Sequence, residues 1–227
     1  PAAVGSFGPA YQGRSDAYVA KVSASGSALV YAGFLGGSSA DTGYGIAVDG
    51  AGNAYVAGGT ASANFPVTPG AFDTTYNGGA FGGGDAFVAK VNAAGVALTY
   101  ATFLGGSSVD AATDIALDSS GAAFVTGATT SPDLPTTPGL GATLSGNSDA
   151  FVARLKADGS GVHYLTYLGG AYNPPPEFAT WWMDQSNAIT IDANGAAYIT
   201  GQTFSNDFPT TAGAFDTTYN GGEPCET

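Results

Sequence analysis

The sequence predicts an all-β protein built from repeated four-stranded antiparallel units. Three observations carry this. Long phrases recur three times in the same order. Each period holds four short runs rich in Val, Ile, Phe, Tyr and Thr, broken by Gly-containing turns. No segment sustains the 3.6-residue apolar period of a helix.

The repeats set the element order. DAYVAK starts at Asp16, DAFVAK at Asp85 and DAFVAR at Asp149, so successive periods are 69 and 64 residues long. An aromatic run closing on Leu-Gly-Gly then ends at Gly37, Gly106 and Gly170. YGIAVDGAGNAYVAGGT (44–60), TDIALDSSGAAFVTGAT (113–129) and NAITIDANGAAYITGQT (187–203) align without gaps. Each of these three holds two strands around an Asp-x-x-Gly turn. Asp at the first place can accept from the turn's own N–H groups, and Gly at the fourth tolerates positive φ. Gly26, Gly95 and Gly159, each ten residues after the leading Asp, mark a second hairpin. Runs such as DAFVAKV are apolar on both faces, so both faces should be covered.

The organisation expected is therefore one repeat array over 1–227. It comprises a linker remnant (1–15) and repeats at 16–84, 85–148 and 149–222, the last with an insertion at about 171–184; 223–227 begins a further loop. AFDTTYNGG occurs at both 71–79 and 214–222, and residues 1–14 overlay the same linker. The array thus opens with two outer strands (16–37), passes through two whole blades from about 44 and 113, and closes with two inner strands (187–203). Three blades fall short of a closed propeller, which needs about four to eight. Either neighbouring repeats of a longer chain complete the two half-blades, the favoured reading, or another copy of the chain does.

These phrases resemble the bacterial SBBP β-propeller repeats, whose hallmark is a stretch like GIAVDxxGNAYVxGxT, then FPTTPGAF, then DAFVAKL, then a Tyr-rich strand ending LGG. The resemblance implies β-propeller-type blades and secreted or cell-surface repeat proteins. It implies no catalytic residues.

Composition narrows the function. The chain carries 18 Asp+Glu against 5 Lys+Arg, a net charge of −13. Nucleic acid demands a basic surface, so it is not an expected partner. No apolar run reaches the roughly 18 residues of a membrane span, so direct membrane insertion is not expected. With 44% hydrophobic and 12% aromatic residues the chain can bury a core. The one cysteine, Cys225, leaves no internal disulfide.

Four sets of residues stand out. The insertion lengthens the distance from Leu-Gly-Gly to the inner-strand Ile: nine residues from Gly37 to Ile46 and from Gly106 to Ile115, but nineteen from Gly170 to Ile189. It holds both tryptophans, and Tyr172, Phe178, Trp181, Trp182 and Asp184 could stack on and hydrogen-bond a sugar or a partner surface; the competing reading is a self-buried capping loop. Asp41, Asp110 and Asp184 each lie five residues before the inner-strand Ile and could contribute to Ca²⁺ sites, although a position repeated in every blade more often fixes its own loop. Lys21, Lys90 and Arg154 share one repeat position, where the stem can pack along the blade while the head meets an Asp. The linker aromatics Phe7/Tyr11, Phe72/Tyr76 and Phe215/Tyr219 suit packing between blades.

The expected function is a non-enzymatic extracellular or cell-surface module with a structural, adhesive or scaffold role. It would associate through its half-blade ends or with neighbouring repeats, and no cofactor is required. The second reading is a carbohydrate-binding propeller that takes glycans on the Trp-rich insertion. The third is a glycosidase-like enzyme using Glu177 or Asp184. His163 is the lone histidine, expected to be packed in its strand, and no nucleophile elbow, phosphate loop or zinc pattern occurs.

Overall fold

A computed structural model of the chain describes residues 7–8, 10–78, 84–171 and 184–220. Within them are twelve strands and no helix. A half-blade comes first, β1 (Ala17–Val22) with β2 (Leu29–Leu35). Blade A follows, with β3 (Asp41–Val48), β4 (Ala54–Thr60), β5 (Asp85–Val91) and β6 (Leu98–Leu104) side by side in chain order. Blade B repeats it with β7 (Asp110–Leu117), β8 (Ala123–Thr129), β9 (Asp149–Leu155) and β10 (Val162–Leu168). β11 (Gln185–Ile191) and β12 (Ala197–Gln202) form the closing half-blade. Every strand pair is antiparallel, and the sheets are open.

The local chemistry explains these elements. In the first turn type, Asp49 Oδ1 accepts from the N–H groups of Ala51 and Asn53, at 3.0 and 2.9 Å. Asp118 and Asp192 repeat this in their own turns. The fourth-place glycines Gly52, Gly121 and Gly195 sit at φ of 85°, 83° and 82°, a region costly for other residues. Register is the same in both blades: Thr60 lies opposite Asp85 in one and Thr129 opposite Asp149 in the other.

Burial follows from stacking. β5 and β9 bury both faces, as their unbroken apolar runs predict. Tyr55, Ala57, Ala86 and Val88 of blade A form one core with Ile115, Ala123 and Val125 of blade B. The opposite face of blade A, with Phe87, Ala89 and Phe103, packs on Ala17, Val19, Tyr31 and Leu35 of the first half-blade. Each fully buried Phe or Leu in such a core contributes about 1.5–3 kcal/mol through surface removed from water.

Candidate functional site

The polar residues that recur in every period converge at the blade junctions. Asp110 opens β7 and is buried. Its Oδ2 accepts from Gly106 N–H and Ser131 Oγ, both at 2.8 Å, and its Oδ1 from Thr129 Oγ1 at 2.5 Å. Asp41 has the same three partners one period earlier: Gly37 N–H, Ser62 Oγ and Thr60 Oγ1. Asp184 has them one period later, with Gly170 N–H, Ser205 Oγ and Thr203 Oγ1, plus the Phe204 N–H. Each carboxylate therefore ties the Leu-Gly-Gly loop to the end of the next strand. Among the described residues no group of three or more His, Cys, Asp or Glu side chains is placed to hold a metal ion. Asp41, Asp110 and Asp184, which by sequence could fix their loops or contribute to Ca²⁺ sites, accept here from loop donors.

A second aspartate stands beside each, and sequence reasoning treated it only as the marker of a period. Asp85, at the start of β5, is fully buried. Its Oδ2 accepts from Asn77 N–H at 2.9 Å, while its Oδ1 has no hydrogen-bond partner. A Cβ built on Gly105 would lie 3.0 Å from Asp85 Oδ1 and 2.8 Å from Asp110 Oδ2, so both carboxyls converge on this glycine. Gly36 sits likewise between Asp16 and Asp41. Gly169 abuts Asp149, whose Oδ2 accepts from Ser145 N–H while Oδ1 is buried without a partner.

The charge state follows from burial. Burial pushes the Asp85 carboxyl up to about 7; the Asn77 N–H opposes this, and the charges on Asp110 and Asp73 add to it. Asp149 is pushed up to about 6 by burial, with the Ser145 N–H opposing and Asp184 adding. Burial also raises Asp110, against its three hydrogen bonds. A proton on the free Oδ1 of Asp85 or Asp149 would turn an orphaned acceptor into a donor and remove a buried charge.

The basic repeat position has one geometry in both whole blades. Lys90 Nζ lies 3.6 Å from Asp49 Oδ2 and 4.6 Å from the centre of the Tyr55 ring. Arg154 donates to Asp118 Oδ2 at 2.7 Å and lies 5.1 Å from the centre of the Phe124 ring. Phe72 packs into the core between blades A and B, and Tyr76 meets Phe103 edge-on at 5.8 Å. Phe215 and Tyr219 are exposed. His163 is exposed on β10 rather than packed, because the outer strand turns that position to solvent.

In the insertion, Tyr172, Phe178, Trp181 and Trp182 lie outside the described residues. Asp184, at its end, is buried with both oxygens engaged by the donors above.

Residues 34–66 match the family model SBBP: Beta-propeller repeat. The matched repeat runs from the end of β2 through β3 and β4 into the following linker, and so includes Asp41, Thr60 and Ser62 with the loop they hold. No curated protein matches the chain.

Proposed function

We propose that this chain is a non-enzymatic structural module, a scaffold or adhesive repeat array of an extracellular or cell-surface protein. One observation carries the reading: the polar residues that recur from period to period are turned inward and serve the blade. The Asp41, Asp110 and Asp184 carboxylates each spend their oxygens on loop donors. The recurrent cations of the whole blades are spent on Asp49 and Asp118. Residues kept for a ligand would be expected to face an opening.

The carbohydrate-binding reading rests on the insertion, which breaks the repeat and holds both tryptophans. Glycan titration followed by tryptophan fluorescence separates the two. The scaffold reading expects no saturable change across a broad glycan panel. Saturable quenching that disappears in a Trp181→Ala/Trp182→Ala variant of unchanged circular dichroism would replace it with a lectin. Antibody labelling of intact, unpermeabilised cells that make the protein is expected to stain their surface; signal only after permeabilisation would sink the surface assignment.

A further inference from the structure

Three Asn-Gly pairs occur in the sequence, at 77–78, 194–195 and 220–221. Asn is thermolabile because its amide can be attacked by the next backbone nitrogen, and a glycine there leaves the approach unhindered. The structure treats the pairs differently. Asn194 and Gly195 sit in the Asp192 turn. Gly195 N–H donates to Asp192 O at 3.0 Å and Asn194 N–H to Asp192 Oδ1 at 2.9 Å, so the nitrogen that would attack is held. Asn220 Nδ2 is held by Asp216 Oδ2 and Thr218 O, and Gly221 lies outside the described residues. Asn77 is exposed, and Gly78 N–H makes no hydrogen bond among the described residues. The Asn77 side chain donates from Nδ2 to Thr75 O at 3.2 Å, which leaves the Gly78 nitrogen untouched. Packing also calls for glycine at 78: a Cβ there would lie 2.7 Å from the Tyr76 hydroxyl and 3.0 Å from Gly84 Cα.

Asn77 is also tied to the junction between blades A and B. Its own N–H donates to the buried Asp85 carboxyl at 2.9 Å, and the other oxygen of that carboxyl has no partner. The linker is anchored just before it, where Phe103 N–H on β6 donates to Asp73 O and Thr75 N–H to Asp73 Oδ1.

We propose that Asn77 is a site of spontaneous deamidation, and that its conversion loosens the hold of the linker on Asp85. The Gly78 nitrogen gives its proton to solvent hydroxide and attacks Asn77 Cγ. A C–N bond forms, and ammonia leaves, taking a proton from water, to close a succinimide ring. Water then opens the ring at either carbonyl, giving Asp or isoaspartate at 77. Nothing is oxidised or reduced. Both products add a negative charge close to Asp85, which already feels the charges of Asp110 and Asp73. Isoaspartate also routes the main chain through the former side chain, one carbon longer, directly after the N–H that Asp85 accepts. This reading goes beyond the structural-module role and does not depend on what the module binds.

The test is ageing of the full chain in mildly alkaline buffer, with conversion at each Asn read by peptide mass spectrometry. Lys90 and Lys156 place Asn77 and Asn194 in different tryptic peptides. Conversion at Asn77 is expected to run at least about fivefold faster than at Asn194, within the range that one net hydrogen bond supplies. In guanidinium chloride, where the turn is gone, the two should convert at similar rates. Thermal unfolding gives the second readout. The wild-type Tm should fall as Asn77 converts, while Asn77→Gln, aged alongside, should keep its starting Tm. Should glutamine disturb the linker, anion exchange separates converted from unconverted wild-type chain by the added charge, and the two fractions give the same comparison. Conversion in the fold no faster at Asn77 than at Asn194, a preference for Asn77 that persists in denaturant, or a Tm indifferent to conversion would each overturn the proposal.

Discussion

At the residue scale, two glycines with the same backbone geometry should respond differently to one methyl group. Gly159 has φ of 73° and Gly195 has φ of 82°. A Cβ on Gly195 meets nothing within 4 Å, whereas one on Gly159 runs into the Tyr100 ring. Gly195→Ala should cost about 1–2 kcal/mol for the left-handed conformation alone. Gly159→Ala adds the displacement of a buried ring, about 1–3 kcal/mol more. Urea unfolding of the two variants measures the gap, and equal midpoints would refute the contact. Asp110→Asn is a sharper probe of the junction. It puts an amide where one carboxylate oxygen had accepted, and leaves buried donors among Gly106, Thr129 and Ser131 short of a partner, at about 1–3 kcal/mol for each one stranded. A loss under half a kilocalorie would mean that the loop is held by something else.

At the element scale, the paired carboxyls make blade stacking sensitive to pH with an unusual sign. Asp85 at about 7 and Asp149 at about 6 hold protons in the fold that the unfolded chain releases near pH 3.8. The stability they contribute is present below about pH 4 and is lost as pH rises through 6 to 7. Asp118 has the opposite sign: burial works to raise it, but hydrogen bonds from Ser120 and Arg154 hold it at about 2, so its contribution is present above about pH 4 and is lost as pH falls toward 2. Tm should therefore fall between pH 4.5 and pH 8. Net negative charge acts in the same direction, so the discriminating variant is Asp85→Asn, whose side chain stays neutral at every pH. Its Tm should fall less steeply over that range and equal or exceed the wild-type value at pH 8. A Tm slope identical to that of the wild type would show that the junction does not titrate.

At the scale of the whole molecule, protection should be graded along the array. β5, β8 and β9 lie inside complete, stacked blades and should show the slowest amide exchange. β1 and β12 each pair with a single strand among the described residues, so this chain's exchange there should be faster. Exchange in β1 and β12 as slow as in β5 would overturn this grading.

Much of this architecture was legible in the sequence because its causes are local. An Asp-x-x-Gly turn, a two-faced apolar run and a positive-φ glycine each act within a few residues, and their recurrence set the blade order before any contact was known. The expectation that repeated aspartates fix loops was legible for the same reason: Asp41, Asp110 and Asp184 each accept from a Thr 19 residues on and a Ser 21 residues on. Their pairing with Asp16, Asp85 and Asp149 was not legible. Those partners lie on a different blade or half-blade from the loop-fixing aspartate, some 25 to 35 residues earlier, and only stacking brings the carboxyls near one another, against a shared glycine at Gly36 and Gly105. Their fixed place at the head of a strand, opposite a recurrent Thr, was the one available signal. The sequence by itself determined the strands, the turns and the blade order, since these obey short-range rules. Only the tertiary structure decided which charges are buried together and which cations find a partner. Those depend on long-range stacking that no local spacing encodes.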